Sequence, residues 1–231
     1  MSSTVAIIPA RGGSKGIPRK NLVDVCGKPL IAWSILQASN ATHIDSVWVT
    51  SDDDEILSVA ESFGARPICR PAEISGDQET SESAWLHALD SIEAQGVAVG
   101  LVVAMQATSP IRESSDLDGG VQTLQEKGYD SLLSVTEVED FFTWQLGADG
   151  TARSINYDYR NRKRRQLIEK RYLENGSFYL FCPHQLRRDN NRLGGHIGLF
   201  VMERHKMFQI DNPEDIELCA SVMRGFGLHR I

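Results

Sequence analysis

Residues 4–21 read TVAIIPARGGSKGIPRKN, and this stretch decides both the fold class and the kind of ligand. An apolar run, Val5–Ile8, predicts a buried strand that stops at Pro9. A loop follows whose glycines allow positive φ and let backbone amides approach a ligand closely. The same loop carries four cations, Arg11, Lys15, Arg19 and Lys20. A loop of this kind at the end of a strand predicts a site for a di- or triphosphate.

Two better-known phosphate loops do not fit these residues. A P-loop reads G-x-x-x-x-G-K-[ST], whereas Lys15 here lies between Ser14 and Gly16. A dinucleotide turn opens directly into a helix, whereas Pro18 interrupts this segment and the next helical pattern begins near Pro29. A basic surface loop without a ligand is the remaining alternative.

The composition excludes several classes of function. The net charge of −7 disfavours nucleic acid as a partner, and no run approaches the roughly 20 apolar residues that span a membrane. No basic segment precedes the first apolar run, so we expect no signal peptide. The four cysteines are far apart, fit no zinc site and predict reduced, buried thiols in a cytoplasmic protein.

Strand and helix patterns alternate over residues 1–135, which predicts an α/β fold with helices on both faces of a mostly parallel sheet. The predicted strands are 5–8, 46–50, 66–69, 101–105 and 131–135, with later ones at 177–182 and 198–203. The predicted helices are 30–39, 53–63, 81–95, 117–127 and 213–224, with caps at Asp52 or Asp53, Thr80 and Asn212. Ligands of such sheets bind beyond the carboxyl ends of the strands.

Residues 136–172 break this alternation and are rich in aromatic and cationic side chains. We interpret them as an inserted arm, either a lid or an oligomerisation element, between two parts of one core at 1–135 and 173–231. Aromatic residues beside cations favour an interface. An ordinary surface helix and hairpin is the alternative.

Several motifs occur in an order that resembles one family. They are PARGGSKGIPRKN (9–21), RPAEIS (70–75), QATSPIR (106–112), RRQ (164–166), YLENGSFYLF (172–181) and IDNPEDIEL (210–218). Together they are similar to the acylneuraminate cytidylyltransferases, the CMP-sialic acid synthetases. The resemblance implies transfer of CMP from CTP to the anomeric 2-hydroxyl of a nonulosonic acid, with Mg²⁺ as cofactor. It also implies a Rossmann-like core and an arm that makes a homodimer, with a tetramer left open.

The resemblance assigns a nucleotide side of the site. Phosphoryl transfer requires positioning and neutralisation of negative charge more than covalent chemistry. The catalytic cations would be Arg11, Lys15 and Lys20. The nucleotide would be bound by Ala10, Gly12, Gly13, Ser14, Asn21, Arg70 and Ser81. A surface ion pair with Glu73 is the alternative for Arg70, and a helix cap is the alternative for Ser81.

The resemblance also assigns an acceptor side. Gln106, Thr108 and Ser109 would contact the sugar, although a purely structural turn is an alternative. Arg165 and Gln166, in the arm, would bind its carboxylate, since an arginine can hold that group bidentately. Asn175 and Gly176 would lie near the sugar, or would only form a tight turn.

The metal site and one arm motif depart from the family pattern. The family carries Asp-x-Asp where this chain reads Gln209-Ile210-Asp211, so Asp211 is the predicted Mg²⁺ ligand and Gln209 is an uncertain one. CTP, water or Asp215 would complete the coordination, with weaker affinity than in an Asp-x-Asp homologue. In the arm, Asp140–Trp144 replaces a His-Pro motif, and no histidine has the context of a general base.

Two other functions fit these residues. One is a nucleotidyltransferase for another sugar, such as 3-deoxy-octulosonate with CTP or a sugar phosphate. The other is a non-catalytic nucleotide-binding homologue, which only Gln209 favours. Which nonulosonic acid is used stays open at this point.

Overall fold

The computed structural model describes residues 2–76, 79–139 and 141–231, which form a sheet flanked by helices. The strands are β1 (Ser3–Pro9), β2 (Asp24–Val25), β3 (Lys28–Pro29), β4 (Ser46–Ser51), β5 (Arg66–Cys69), β6 (Val99–Met105), β7 (Ser131–Val138), β8 (Trp144–Leu146), β9 (Ala152–Ser154), β10 (Arg171–Phe181) and β11 (Ile197–Met202). The helices are α1 (Leu30–Ser39), α2 (Asp54–Ser62), α3 (Ser81–Ala94), α4 (Ser114–Lys127), α5 (Pro183–Asp189) and α6 (Pro213–Phe226).

The main sheet has seven strands in the order β11-β7-β10-β6-β1-β4-β5. Only β10 is antiparallel to its neighbours, β6 and β7, and the other pairings are parallel. The predicted Rossmann-like, mostly parallel α/β fold is therefore confirmed. Consequently the carboxyl ends of β1, β4, β5, β6, β7 and β11 lie at one edge of the sheet.

Strand β1 shows why the sheet holds helices on both faces. Its four apolar residues are fully buried, with Ala6 and Ile8 on one face and Val5 and Ile7 on the other. Side chains of α1, α2 and α4 cover the first face, and those of α3 and α5 cover the second. A continuous apolar run, rather than an alternating one, is what a strand buried on both faces requires.

Local signals placed the starts of α2, α3 and α6 to within one residue, whereas α4 begins at Ser114, three residues before the predicted start. The side chain of Asp53 accepts a hydrogen bond from the amide of Ile56 at 3.0 Å and caps α2. Thr80 caps α3 through the amide of Ser83 at 3.3 Å, and Asn212 caps α6. Each cap satisfies a backbone N–H that the first helical turn leaves without a partner.

Other predictions need correction. Strand β7 continues to Val138 and β10 begins at Arg171, so the sheet extends into both ends of the predicted 136–172 arm. The segment between them contains the hairpin β8–β9 and two 3-10 turns, while Asp140 lies outside the described residues. Helix α5 and the β2–β3 hairpin were not predicted.

The cysteine prediction is only partly right. Cys219 is buried, whereas Cys69 is exposed. Cys26 and Cys182 are half-buried. Separately, no helix in the described ranges is long and apolar enough to cross a membrane.

Candidate functional site

A cavity of about 300 Å³ opens at the carboxyl edge of the sheet, where the loops after β1, β5 and β6 meet. Its volume falls within the range of small-molecule sites. Its wall includes eight of the residues that the sequence singled out, namely Arg11, Ser14, Lys20, Asn21, Arg70, Ser81, Gln106 and Thr108. Three of them are cations, whereas Glu79 is the one carboxylate among the described wall residues. This acidic protein therefore has a locally positive cavity.

The loop after β1 is held by burial and by its glycines. Ile17 is buried with Ile210 and Trp33 in a small cluster beneath the loop. A β-carbon at Gly16 would lie 2.5 Å from the carbonyl oxygen of Asp211, so this approach requires glycine. The side-chain amide of Asn21 donates to the carbonyl of Arg11 at 3.0 Å. These contacts fix the cavity wall beside Arg11.

Carboxylates of the loop after β4 and of the first turn of α2 contact the glycine-rich loop after β1. The amide of Gly12 donates to Oδ1 of Asp52 at 3.0 Å, and Arg19 reaches Asp53 at 3.2 Å and Glu55 at 2.8 Å. The amide of Ala10 is likewise used, since it donates to the carbonyl of Thr50. The Asp52 carboxylate thus accepts the hydrogen bond from the Gly12 amide that an oxygen of an anionic ligand would otherwise accept.

Arg70 is a buried wall residue rather than a surface one. Its Nε donates to Oγ of Ser75 at 3.0 Å, and its Nη2 lies 3.8 Å from Oδ1 of Asp52. The ion-pair partner is therefore Asp52 and not Glu73. Burial lowers the pKa of the Arg70 guanidinium from its ordinary value, an effect that Asp52 partly opposes.

The remaining predicted nucleotide residues differ in position. Ser81 is the first residue of α3 and lines the cavity. The capping role belongs to Thr80 instead. Gly13 has open space around it. Lys15 is exposed and is not among the residues that line the cavity.

Lys20, the predicted catalytic cation, contacts Asp211, the predicted Mg²⁺ ligand. The Lys20 ammonium donates to Oδ1 of Asp211 at 3.0 Å and to the carbonyl of Ile210 at 3.0 Å. The Lys20 side chain is only 15% exposed, whereas that of Asp211 is 65% exposed. The lysine is therefore fixed in the wall, and the carboxylate has room for a further ligand.

The donor set at Asp211 fits one mode of Mg²⁺ binding. Among the described residues, no group of three or more His, Cys, Asp or Glu side chains could hold a metal ion. Mg²⁺ nevertheless often binds through one or two carboxylates together with substrate phosphates and water. Asp215 is less suited, because its Oδ2 accepts the amides of Asp211 at 2.9 Å and Asn212 at 2.7 Å. Asp211 is thus the residue that fits the ion.

Three chain segments converge on the acceptor side of the cavity, namely 106–109, 175–177 and 208–211. The amide of Ile210 donates to the carbonyl of Thr108 at 2.8 Å, and that of Gln106 to the carbonyl of Ser177 at 3.4 Å. Gly176, with φ of +63°, lies between the side chains of Gln106 and Gln209. The predicted residues Gln106, Thr108 and Gly176 are therefore brought together.

Two predicted sugar contacts lie in a buried network instead. Asn175 is fully buried, and its amide is used by Ser134, by the Ser177 amide and by the carbonyl of Lys206. Ser109 is buried, and its hydroxyl points to the carbonyl of Asn175 at 3.4 Å. These side chains support the wall rather than form it.

Arg112 ends the QATSPIR motif, but the sequence alone predicted no role for it. Its guanidinium donates to the carbonyls of Gln106 (2.7 Å), Ser109 (2.6 Å) and Ser177 (2.8 Å). Burial lowers its pKa to about 9, which leaves it charged at neutral pH. Arg112 thus clamps the acceptor loop to the turn after Gly176, and no feature of the local pattern signals that an arginine is buried there.

Lys206 is a second buried cation that the sequence did not reveal. It is 2% exposed and lies 2.8 Å from each of Glu113, Asp116 and Glu203. Burial alone would lower its pKa, but these carboxylates raise it overall. This cluster fixes the turn that leads from β11 to Gln209 and Asp211.

The arm carries two residues predicted to bind the acceptor. Arg165–Leu167 forms a 3-10 turn in which Gln166 is exposed, while the side chain of Arg165 lies outside the described part. Gln166 is not among the described residues that line the cavity. Several aromatic or apolar side chains of the arm are exposed, including Phe141, Trp144, Tyr159 and Leu167.

Comparisons with known proteins agree with this geometry. The cytidylyltransferase family model matches residues 5–225. A pseudaminic acid cytidylyltransferase of Campylobacter jejuni is 32% identical over 92% of this chain and 93% of the relative. The N-acylneuraminate cytidylyltransferase A of Danio rerio is 34% identical over 96% of this chain, which spans only 51% of that relative.

A solved structure shows the same fold at low sequence identity. The CMP:2-keto-3-deoxy-manno-octonic acid synthetase complexed with CTP has a TM-score of 0.72 and 17% identity, over 97% of this chain and all of the other. The family match and these relatives define a nucleotidyltransferase. The chain belongs to the cytidylyltransferase family, and its relatives include the pseudaminic acid and N-acylneuraminate cytidylyltransferases named above.

Proposed function

We propose that this protein transfers CMP from CTP to the anomeric 2-hydroxyl of a nonulosonic acid, N-acetylneuraminate or a close analogue, with release of pyrophosphate. The proposal rests on a single cavity in which cationic side chains lie beside the polar segment predicted to contact the sugar acceptor. Arg11, Lys20 and Arg70 line one part of it, and Gln106 and Thr108 line another. The relatives named above support the choice of nucleotide and acceptor.

On the nucleotide side, Arg11 and Lys20 would face the triphosphate. Asn21 and Arg70 would contact the base, because cytosine presents hydrogen-bond acceptors that an amide and a guanidinium can satisfy. Binding of a phosphate at the Gly12 amide would replace its contact with Asp52. The positive wall would also raise the local concentration of an anionic substrate.

The reaction exchanges one phosphorus–oxygen bond for another. The 2-hydroxyl oxygen attacks the α-phosphorus, the bond to the bridging oxygen breaks, and pyrophosphate leaves with its electron pair. The hydroxyl proton passes to solvent. Lys20 would stabilise the negative charge that develops on the leaving group, since Asp211 and Ile210 already hold its ammonium in place.

Mg²⁺ would be held by the exposed carboxylate of Asp211 together with triphosphate oxygens and water. When bound, the ion would neutralise phosphate charge. Gln209 offers a neutral amide in place of a second carboxylate, so we expect weak affinity. Gln209→Asp should lower the Mg²⁺ concentration for half-maximal activity, and an unchanged value would contradict this expectation.

The arm would complete the site in a homodimer. Aromatic side chains of the arm lie beside cations, with Arg160 stacked on the exposed Tyr159 and Arg162 on the half-buried Phe142, a composition typical of interfaces. Arg165, carried by a second copy, would bind the carboxylate of the acid. Light scattering coupled to size-exclusion chromatography distinguishes monomer, dimer and tetramer, and a monomer at working concentration would contradict this part of the proposal.

The function is tested by pyrophosphate release with four nucleoside triphosphates and a panel of acceptors. The panel contains N-acetylneuraminate, its deaminated form, legionaminic and pseudaminic acids, 3-deoxy-octulosonate and a hexose 1-phosphate. We expect release only with CTP and a nonulosonic acid, with the CMP-sugar identified by mass spectrometry. Release only with 3-deoxy-octulosonate or the sugar phosphate would select the other enzyme, and no release at all would favour a non-catalytic protein.

A further inference from the structure

The side chains of Gln106 and Gln209 both lie next to Gly176 at the acceptor side of the cavity. A β-carbon built on Gly176 would lie 2.8 Å from Oε1 of Gln106 and 2.8 Å from Nε2 of Gln209. The φ of Gly176, +63°, is one that residues with side chains seldom adopt. The absence of a side chain here therefore leaves the two amides facing the same small volume.

Neither side-chain amide has a hydrogen-bond partner among the residues that the structure describes. No hydrogen bond joins the side chain of Gln106 or Gln209 to any other residue in the described ranges. Both residues are half-buried, and their amide atoms remain accessible at the cavity. A pair of partly buried polar groups with unused donors and acceptors suits a polar ligand.

The backbone around both glutamines is firmly held. The amide of Gln106 donates to Ser177, and its carbonyl accepts from the guanidinium of Arg112 at 2.7 Å. Gln209 precedes Ile210, which is fully buried and whose amide donates to Thr108 at 2.8 Å. The two amides thus project from fixed positions, and Gln106 itself lines the cavity.

We propose that Gln209 is a specificity residue that pairs with Gln106 to bind a neutral substituent of the acceptor, one that both donates and accepts hydrogen bonds. This inference rests on the proposed function and deepens it. An acylamino group fits best, because each glutamine amide offers two N–H donors and one carbonyl acceptor. A carboxylate fits less well, because it only accepts hydrogen bonds and would leave both glutamine carbonyl oxygens unpaired.

The side chains of Gln209 and Asp211 have different neighbours. Its neighbour Asp211 lies against Lys20, whereas both polar atoms of the Gln209 amide lie near Gly176 and Gln106, the nitrogen at 2.8 Å and the oxygen at 3.0 Å from the β-carbon position. A site built to hydrogen-bond a substrate group rejects analogues that lack it, since its own polar atoms are then left unpaired. The native Gln209 amide is therefore assigned to the acceptor, whereas the carboxylate introduced by Gln209→Asp would lie two residues from Asp211 and be available to Mg²⁺.

The experiment compares Gln209→Leu with Gln209→Asn and with the matched control Gln125→Leu, which alters an exposed glutamine of α4. For Gln209→Leu we expect the KM for N-acetylneuraminate to rise about tenfold or more, the effect of losing about 1.4 kcal/mol. The KM for CTP and the half-saturating Mg²⁺ concentration should stay within about twofold of the wild type. Gln209→Asn should fall between, and the control should match the wild type.

A second readout requires neither turnover nor metal. Saturation-transfer NMR follows the acetyl methyl of N-acetylneuraminate bound to the enzyme with CDP and a chelator. We expect transfer in the wild type and a marked loss in Gln209→Leu. Equal transfer in both proteins would overturn the inference.

Two kinetic outcomes would also overturn it. One is a changed Mg²⁺ requirement in Gln209→Leu with an unchanged acceptor KM, which would make Gln209 a metal ligand. The other is an equal increase of KM for N-acetylneuraminate and for its deaminated form, which would exclude recognition of the acylamino group. Thermal unfolding of each variant establishes that it is folded.

Failure of this inference is distinguishable from failure of the proposed function. The wild type is assayed first with CTP and the panel of acids. No turnover with any nonulosonic acid contradicts the function itself, whereas an active wild type with an unaffected Gln209→Leu variant contradicts only the role of Gln209.

Discussion

Replacing Arg112 by methionine removes the donors that hold the acceptor loop while roughly filling the same buried space. In the wild type the guanidinium donates to the backbone carbonyls of Gln106, Ser109 and Ser177 at 2.6–2.8 Å, and to Oγ of Ser34 at 3.0 Å. Methionine supplies no donor. Three carbonyls inside the protein therefore lose their charged partner at once.

The magnitude follows from those contacts. A buried polar group left without a partner costs about 1–3 kcal/mol. Relief of the desolvation penalty of the buried guanidinium offsets part of this sum. We expect a net loss of about 3 kcal/mol in the free energy of unfolding, which is a large share of the ~5–15 kcal/mol typical of a domain.

The assay is urea unfolding followed by far-UV circular dichroism and by tryptophan fluorescence. Arg230→Met is the control, because Arg230 is exposed near the chain end. Arg112→Lys keeps the charge but not the fork of donors, so its stability should lie between those of the wild type and Arg112→Met. In kinetics, Arg112→Lys should raise the acceptor KM more than the CTP KM, since the clamped carbonyls belong to the acceptor loop.

Two results would refute this reasoning. A loss below about 1 kcal/mol in Arg112→Met, less than one unsatisfied carbonyl is worth, would mean that the loop carbonyls find other donors. Equal changes in the KM for CTP and for the acceptor in Arg112→Lys would mean that Arg112 supports the whole fold rather than the acceptor side.

Three further predictions follow from single contacts. Lys20→Ala should lower kcat by about 10²–10³ in the pyrophosphate assay with unchanged thermal unfolding, and a near-normal rate would remove the lysine from the mechanism. Gly176→Ala should raise the acceptor KM, since the added β-carbon would displace two amides, and an unchanged value would contradict the close approach. Asp215→Asn should lower the stability at pH 7 by about 0.5 kcal/mol, because the N3 side chain of the α6 capping box loses its negative charge at the helix N-terminus. Hydrogen bonds from the Asn212 and Asp211 amides lower the pKa of Asp215, so its contribution is present above about pH 4, its usual unfolded value, and disappears as the pH falls further. Urea unfolding at pH 7 and pH 2.5 measures this, and an equal difference at both values would contradict it.

What the sequence predicted correctly depends on local signals. The buried run of β1 and the side chains of Asp53 and Thr80 act over a few residues, so pattern and capping rules locate them. The glycines and cations of residues 11–20 are equally local, and the cavity forms where they predict it. The position of this cavity was therefore readable before the fold was known.

What the sequence did not predict depends on contacts between distant segments. The burial of Arg112 follows from Ser177, 65 positions away, and that of Lys206 from Asp116, 90 positions away. The roles of Asn175 and Ser109 were misjudged for the same reason, since polar residues in turns look alike whether they face a ligand or a neighbouring segment. Only the assembled sheet distinguishes the two situations.

The topology of β10 places the arm and the cavity at the same edge of the sheet. Because β10 runs antiparallel between β6 and β7, the chain leaves β7 at Val138 and returns at Arg171 on the edge where β1 and β6 end. The arm thus projects from the same edge that carries the positive cavity. An arm that emerged from the opposite edge would be separated from the cavity by the full length of the strands. In the homodimer proposed above, the cations of each arm would lie toward the acceptor side of the other chain's cavity, where the side-chain amides of Gln106 and Gln209 have no hydrogen-bond partner among the described residues.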